Sequence, residues 1–192
     1  MTGRVILLSG AKGVGKSTLA ARVAAMARAA GWRVGGVLSP PELSAEGEKV
    51  GIWLEDAASG ERRRLAESTR LRQGAAVETT HWSFDDAVLE WGAALIAAAT
   101  PCDLLLVDEL GPLELERGQG WTVAFDVLRG GGLEPRAGYR CALVVIRAPL
   151  VAALEARLAG LPVEAVVVTE ANREALAAQL AARLWGAGAG EA

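Results

Sequence analysis

Residues 10–17 read Gly10-Ala11-Lys12-Gly13-Val14-Gly15-Lys16-Ser17, and this stretch decides the fold that we expect. A nearly continuous apolar run precedes it at residues 4–9, and apolar residues at helical spacing follow it over residues 17–30. A short apolar run of this kind is typical of a strand that is buried on both faces. A strand, a glycine-rich turn and a helix in this order predict a loop whose backbone N–H groups converge on phosphate oxygens.

The loop matches the pattern Gly-x-x-x-x-Gly-Lys-Ser in full. Its glycines allow backbone conformations that other residues resist, which lets the amides face inward. In such loops the lysine, here Lys16, reaches the terminal phosphates, and the hydroxyl, here Ser17, ligates Mg²⁺. The loop therefore predicts that the chain binds a nucleoside triphosphate together with Mg²⁺.

A second apolar run, Leu104 to Val107, ends in Asp108-Glu109. An apolar strand that ends in Asp supplies the usual protein partner of Mg²⁺ beside such a loop, which makes Ser17 and Asp108 the predicted metal ligands. Ligands also lie at the carboxyl ends of strands in open α/β sheets. Glu109 can orient or deprotonate a water that is aimed at the γ-phosphate, so Lys16 and Glu109 are the predicted catalytic residues.

Strand and helix patterns alternate along the rest of the chain, which predicts a mostly parallel, three-layer α/β sandwich. Segments 50–55 and 62–65, joined through Ser59-Gly60, predict an antiparallel hairpin appended to this sheet. Ser83 is the predicted cap of a helix that runs to about Ala99. We expect one domain over residues 1–186 and a flexible tail over 187–192. Further strands are predicted at 33–38, 141–146 and 163–168, and further helices at 121–128 (closed by Gly130-Gly131-Gly132), 149–158 (with Pro149 at its first position) and 172–185.

Composition excludes several function classes. The formal net charge of −3 gives none of the strongly basic character of a nucleic-acid-binding face. The two cysteines, Cys102 and Cys141, lie at the starts of predicted strands and are expected to be buried thiols. The N-terminus lacks the regions of a signal peptide, and no apolar run reaches membrane-spanning length. We therefore predict a soluble, cytoplasmic protein whose partner is the triphosphate; neither membrane nor nucleic acid is indicated, and no protein partner can be named.

The chain resembles the THEP1-type nucleoside-triphosphatases, small enzymes built around a phosphate-binding loop. Besides residues 10–17, the string Val107-Asp108-Glu109-Leu110-Gly111-Pro112-Leu113-Glu114-Leu115 is similar to a second signature of that family. Residues 31–60 are similar to its glycine-containing hairpin region, and Thr169-Glu170-Ala171-Asn172-Arg173 resembles a stretch that follows its last strand. The resemblance implies a P-loop fold and Mg²⁺-dependent hydrolysis of ATP, GTP and other triphosphates to diphosphate and phosphate.

The loop, the Asp-Glu string and the stretch after the last strand together give the predicted nucleotide site. Arg173 can lie flat on a base, and Asn172 can both donate and accept hydrogen bonds, so neither selects one base strongly. The alternative is that Thr169 caps the last helix while Asn172 and Arg173 face solvent. The predicted nucleotide contacts are Gly10, Ala11, Lys12, Gly13, Val14, Gly15, Lys16, Ser17, Thr18, Asp108, Glu109, Gly111, Asn172 and Arg173.

The sequence leaves two other functions open. A small-molecule or nucleoside kinase needs the same loop and an arginine-bearing lid, which Arg62 to Arg64, Arg70 and Arg72 could provide. A non-catalytic adapter would bind the triphosphate without turning it over. Glu109 beside Asp108 favours hydrolysis, because a kinase must avoid activating water. No motif places an arginine at the γ-phosphate, although Arg173 or Arg62 to Arg64 could reach it.

Overall fold

A computed structural model of the chain describes residues 3–70, 77, 79, 81–130 and 138–185. Nine strands in this described part form one mixed sheet in the order β6-β5-β4-β2-β7-β8-β1-β9, with β3 paired to β4. The strands are β1 Arg4–Ser9, β2 Val34–Leu38, β3 Pro41–Leu43, β4 Lys49–Asp56, β5 Arg62–Ser68, β6 Trp82–Phe84, β7 Cys102–Leu110, β8 Tyr139–Ile146 and β9 Val163–Val167.

Helices cover both faces of this sheet. They are α1 Lys16–Ala29, α2 Asp86–Ala97, α3 Pro112–Leu115, α4 Val123–Leu128, α5 Val151–Arg157 and α6 Arg173–Trp185, with a 3₁₀ turn at Ala148–Leu150. Val5 and Leu7 of β1 join a core with α2, α4 and α5, whereas Ile6 and Leu8 join a second core with α1 and α6. Alternate side chains of β1 thus pack into two cores on opposite faces of the sheet, which confirms the three-layer sandwich.

The central strands β2, β7, β8, β1 and β9 pair in parallel. Their carboxyl ends therefore meet at one edge of the sheet, where ligands bind in open α/β folds. The loop after β1 and the residues after β2, β7, β8 and β9 share this edge. Strand β8 lies between β1 and β7, so the chain that follows β8 emerges between the loop and Asp108.

The antiparallel hairpin is confirmed. Strand β4 pairs antiparallel with β2 on one side and with β5 on the other. The structure adds two short strands that the sequence did not predict: β3 pairs with the start of β4, and β6 pairs with the end of β5. Because β3 follows β2 directly, it carries the chain from the ligand-binding edge out onto the hairpin.

Several predicted boundaries are wrong. Ser83 lies in β6, fully buried, and does not cap a helix; the cap of α2 is Asp85, whose carboxylate accepts a hydrogen bond from the amide of Val88 at 3.1 Å. Pro149 lies in the 3₁₀ turn that precedes α5, and not in α5 itself. Strand β7 continues through Asp108 and Glu109 to Leu110 because both residues pair with β8 or flank its register shift.

Other predictions are confirmed or fall outside the described residues. Both cysteines are buried and free. None of the described helices combines the length and the apolar character needed to cross a bilayer. Arg72, Gly131, Gly132 and the predicted tail at 187–192 lie outside the residues that the structure describes, so the domain boundary at 186 stays a prediction.

Candidate active site

The loop between β1 and α1 depends on glycine at three positions. Gly10, Gly13 and Gly15 have φ angles of 143°, 79° and 103°, which L-residues with a side chain rarely adopt. A Cβ atom on Gly10 would also lie 2.4 Å from the carbonyl oxygen of Val168. Backbone conformation therefore explains all three glycines, of which the motif requires Gly10 and Gly15, and the chain that follows β9 adds a steric reason at Gly10.

Lys16 begins α1 and turns back over the loop. Its ammonium group donates to the carbonyl oxygens of Gly10 at 3.0 Å and Ala11 at 2.9 Å, and the residue is 8% exposed. Desolvation lowers the pKa of Lys16, and the carboxylates of Glu109 and Asp108 oppose this shift. The cation thus rests on neutral acceptors at the mouth of the loop, where an anionic phosphate oxygen would be a stronger acceptor.

Ser17 and Asp108 meet beside the loop. The Ser17 hydroxyl donates to Oδ1 of Asp108 at 2.9 Å, and the amide of Ser39 donates to Oδ2 at 3.1 Å. The Ser39 hydroxyl also donates to the backbone carbonyl of Asp108. Asp108 is 1% exposed, and this burial raises its pKa to about 7 despite the hydrogen bonds from both serines.

The Ser17–Asp108 pair fits a magnesium ion by its donor chemistry. A hydroxyl and a carboxylate are hard oxygen donors, and Mg²⁺ typically takes one or two of these from protein while keeping waters and phosphate oxygens. Within the described ranges, no group of three or more His, Cys, Asp and Glu side chains could hold a metal. Such a pair suits a metal that arrives with a triphosphate.

Glu109 is held by an arginine from the neighbouring strand. Arg147, the residue after β8, donates from Nε to Oε1 of Glu109 at 2.7 Å. The Glu109 side chain is 34% exposed and that of Arg147 is 58% exposed, so the pair faces solvent at the edge of the sheet. In this structure the predicted base is engaged by a cation that no motif had indicated.

The segment after Glu109 is braced by a buried carboxylate. Glu114 is 5% exposed and accepts hydrogen bonds from the amides of Gly111 at 2.9 Å and Trp121 at 3.1 Å. Its burial raises its pKa. A Cβ atom on Gly120 would lie 2.2 Å from Oε1 of Glu114. The Gly-x-x-Glu part of the Asp-Glu string thus has a structural role, in which Glu114 fixes the turn that follows β7.

Lys49 brings a further cation to this region from the hairpin. It begins β4, opposite Leu43 of β3, and its ammonium group lies 5.1 Å from the centroid of the Trp82 ring. Desolvation lowers the pKa of Lys49, and the carboxylates of Glu109 and Asp108 oppose this shift without cancelling it. Lys12, Lys16 and Lys49 are the only lysines of the chain, and apart from His81 its other basic residues are all arginine. Two of the three lysines therefore lie in the loop, and the third lies at the start of β4.

A cleft of about 250 Å³ opens beside the start of α1. Arg22 and Glu174 form an ion pair at 2.7 Å in its wall. Arg173 also lines the cleft and donates to the carbonyl oxygen of Val14 at 3.4 Å. The cleft is lined by Gly15, Thr18, Leu19, Arg22, Arg173 and Glu174.

Asn172 precedes Arg173 in the chain, and its carboxamide is engaged by the backbone. Oδ1 accepts from the amide of Thr169 at 2.8 Å, and Nδ2 donates to the carbonyl oxygen of Val167 at 2.8 Å. The Thr169 hydroxyl in turn accepts from the amide of Asn172 at 3.2 Å. These bonds order the turn before α6. Of the two predicted base contacts, Arg173 is the one whose side chain borders open space.

The arginines of the hairpin are paired with carboxylates of the hairpin and of β3. Arg62 pairs with Glu55 at 2.6 Å, and Arg63 pairs with Glu61 at 2.8 Å. Arg64 pairs with Glu42 and with Glu67. These contacts tie β5 to its neighbours along the hairpin and link none of the three arginines to the loop.

Comparison with known proteins gives the family. Residues 5–181 match the family model described as NTPase. The chain is 31% identical over 147 residues to the nucleoside-triphosphatase THEP1 of Methanothermobacter thermautotrophicus, covering 74% of this chain and 80% of that protein. The chain belongs to this NTPase family. The resemblance to THEP1-type proteins is thereby confirmed.

Other members of the NTPase family support the same placement. The THEP1 of Methanosarcina acetivorans is 35% identical over 111 residues, which cover 57% of this chain and 61% of that protein. The chain thus spans about three fifths of the length of the first curated relatives that it matches.

Two solved structures share the fold. A human cancer-related nucleoside triphosphatase superposes with a TM-score of 0.69 at 22% identity, over 96% of this chain and 98% of that one. The THEP1 of Aquifex aeolicus superposes with a TM-score of 0.64 at 16% identity, over 94% and 99% of the two chains. The P-loop sandwich expected from the sequence is confirmed by these likenesses.

The sequence did not predict three polar residues of the candidate active site region: Ser39, Lys49 and Arg147. Ser39 and Arg147 follow β2 and β8 directly, and polar residues at the carboxyl ends of parallel strands are candidates for ligand contacts. That rule could have found both. Lys49 carried a different signal, since lysine is rare in a chain that otherwise uses arginine.

Proposed function

We propose that this chain hydrolyses nucleoside triphosphates in the presence of Mg²⁺ and releases diphosphate and phosphate. The observation that carries the proposal is the meeting of the loop with the Asp108-Glu109 pair, through the 2.9 Å hydrogen bond between Ser17 and Asp108. This contact sets a phosphate-binding loop, a metal-type oxygen pair and a candidate base at one edge of the sheet. The names of the curated THEP1 relatives support the same reaction.

The loop would bind the phosphates. Its amides lie at the amino end of α1, where the helix dipole favours anions. Lys16 would exchange the carbonyls of Gly10 and Ala11 for oxygens of the β- and γ-phosphates. That exchange replaces two neutral acceptors with charged ones, which form stronger hydrogen bonds. Lys12 and Lys49 would add positive charge around the same phosphates.

Ser17 and Asp108 would hold Mg²⁺, with Asp108 in contact directly or through water. A bound Mg²⁺ neutralises charge on the β- and γ-phosphates. Ser39 orients Asp108 by donating from its amide to Oδ2 at 3.1 Å. Glu109 would accept a proton from the water that attacks the γ-phosphate, once its carboxylate is free of Arg147.

The nucleoside would occupy the cleft beside α1. Its position next to Gly15 and Thr18 continues the line of the loop, as a ribose and base must do. Arg173 offers a planar guanidinium on which any base can stack. A contact of this kind fits a chain that accepts ATP, GTP and other triphosphates.

Phosphate release by the purified chain tests the reaction. Labelled ATP is incubated with wild-type protein in Mg²⁺, and with the Glu109→Gln variant in parallel. We expect free phosphate from the wild type, a large loss in the variant, and no release when EDTA removes the metal. A labelled acceptor without free phosphate would instead identify a kinase, and tight binding without turnover would identify an adapter; either result would overturn the proposal.

A further inference from the structure

Arg147 lies at the centre of the ligand-binding edge. It follows β8, and β8 lies between β1, which leads into the loop, and β7, which carries Asp108. Its guanidinium group is 2.7 Å from the carboxylate of Glu109. A side chain at this point emerges between the phosphate-binding loop and the predicted metal ligand, where the terminal phosphate of a bound triphosphate has to lie.

The ion pair also links Arg147 to the loop by contacts. Glu109 follows Asp108, whose carboxylate accepts the hydrogen bond of Ser17 at 2.9 Å, and Ser17 follows Lys16. Lys16 is the residue that the motif assigns to the terminal phosphates, so Arg147 lies within the surroundings of the same group.

The ion pair between Arg147 and Glu109 is of the kind that exchanges readily. Arg147 is 58% exposed and Glu109 is 34% exposed. Exposed pairs of this type contribute little to stability, because water and salt screen the charges and because pairing costs side-chain entropy. A triphosphate carries several negative charges, and a guanidinium can bind two phosphate oxygens at once. A bound triphosphate should therefore compete with Glu109 for the arginine.

We propose that Arg147 contacts the γ-phosphate when a triphosphate is bound, and that its pair with Glu109 is the resting arrangement of the nucleotide-free protein. In the nucleotide-free protein, the guanidinium of Arg147 donates a hydrogen bond to Oε1 of Glu109, the candidate base. Its transfer to the γ-phosphate frees Glu109 to accept a proton from water at the moment when substrate is present. The chain then supplies its own arginine to stabilise the charge of the transferring phosphoryl group. This inference rests on the proposed function.

The other candidate arginines are placed less well for this contact. Arg62, Arg63 and Arg64 are paired along the hairpin. Arg173 lines the cleft next to Gly15 and Thr18, on the side of the loop where the nucleoside would bind. Among the arginines with a described partner, Arg147 is the one that contacts the candidate base.

Binding of two nucleotides to the full chain tests this contact. AMP-PNP carries a γ-phosphate and ADP does not, so isothermal titration in Mg²⁺ with each isolates the γ-phosphate. We expect Arg147→Ala to weaken AMP-PNP binding about tenfold or more, the scale of one charge-assisted hydrogen bond, and to leave ADP binding within about twofold. The turnover number with ATP should fall about 10²-fold or more.

A matched control is Arg183→Ala. Arg183 forms an exposed pair with Glu164 at 2.6 Å, on the far end of α6, and is 45% exposed. Its loss should change neither nucleotide affinity nor turnover. Arg147→Lys keeps the positive charge but lacks the planar pair of N–H donors of a guanidinium. It should therefore recover part of the AMP-PNP affinity that Arg147→Ala loses. If Arg147→Ala does not fold, the lysine variant and Arg147→Gln must still show the selective loss of AMP-PNP affinity.

Two results would overturn the inference. One is an equal effect of Arg147→Ala on AMP-PNP and ADP, or no effect on either. The other is a lowered turnover with unchanged AMP-PNP affinity and no additional loss when Arg147→Ala is combined with Glu109→Gln, because Arg147 would then act only by orienting Glu109. A wild-type chain that binds AMP-PNP but releases no phosphate would refute the proposed hydrolysis, and the affinity comparison would still decide the role of Arg147.

Discussion

Ser17 and Asp108 are separated by 91 positions in the sequence, and their hydroxyl and carboxylate meet at 2.9 Å beside the phosphate-binding loop. The contact joins the start of α1 to the end of β7 across the strand β8 that lies between β1 and β7. Because Asp108 is 1% exposed, this contact also places an ionisable group where water cannot stabilise its charge.

The burial of Asp108 predicts a specific dependence of stability on pH in the absence of nucleotide and metal. Its pKa in the folded state is raised to about 7, above the value near 3.9 expected in the unfolded chain. The folded state therefore holds this proton more tightly than the unfolded state. The contribution of Asp108 to stability is fully present below pH ~4 and is lost as the pH rises to about 7.

The Asp108→Asn variant cannot lose a proton and should escape this loss. In EDTA, we expect its free energy of unfolding relative to wild type to rise by roughly 1–3 kcal/mol between pH 5 and pH 8. Urea denaturation at four pH values measures the difference. A difference that stays constant across this range would show that Asp108 is already ionised at pH 5 in the folded protein.

Lys16→Ala should weaken triphosphate binding strongly and abolish turnover. The ammonium group lies over the loop carbonyls, so its loss removes a cation from the ligand side and leaves both cores intact. Calorimetry with ATP and Mg²⁺ measures the affinity, and circular dichroism checks the fold. Arg140→Ala is the control, because Arg140 stacks on Trp32 at the opposite edge of the sheet. Unchanged ATP affinity in the Lys16 variant would refute its assignment.

Glu109→Gln should retain nucleotide binding and lose about 10²-fold or more of the turnover number. Glutamine keeps the size and a hydrogen-bonding oxygen for Arg147 but cannot accept a proton as a carboxylate does. Steady-state phosphate release at saturating ATP measures the effect, with affinity measured separately by titration. Wild-type turnover in this variant would exclude Glu109 as the base.

Lys49→Ala should weaken binding of triphosphate about tenfold, equivalent to ~1.4 kcal/mol, because a cation whose pKa is lowered by desolvation but raised by the Asp108 and Glu109 carboxylates would also attract phosphate oxygens bound beside them. Lys49→Arg should retain most of the affinity. Arg62→Ala is the matched control on the same hairpin, since Arg62 is paired with Glu55. Equal affinities for wild type and Lys49→Ala would mean that the hairpin does not take part in binding.

ATP, GTP, CTP and UTP should be hydrolysed with kcat/KM values within about tenfold of each other, or less than ~1.4 kcal/mol of discrimination. The carboxamide of Asn172 is already bonded to Thr169 and Val167, and a stacking arginine such as Arg173 accepts every base. Steady-state kinetics on the four triphosphates decide the matter. A thousandfold preference for one of them would reveal a dedicated base reader.

The sequence by itself determined the features that depend on neighbours along the chain. The order of strand, glycine-rich loop and helix is written in residues 4–30, because the φ angles of the loop glycines and the apolar spacing of α1 are local properties. The same holds for the apolar strand that carries Asp108-Glu109 near its carboxyl end and for the hairpin over β4 and β5. These patterns were sufficient to predict the fold class and to name Ser17 and Asp108 as the candidate metal ligands.

Only the tertiary structure decided which of the remaining polar residues share the site. Ser39 and Arg147 follow two separate strands, and they contact Asp108 and Glu109 because β7 lies between β2 and β8. Lys49 belongs to a third segment, β4, which is added beside β2. Strand order is set by the packing of helices on both faces, which no short motif encodes. The cap of α2 shows the same limit on a small scale. Ser83 has a side chain that often caps helices, but it pairs in β6 and is buried there. Asp85 caps α2 instead.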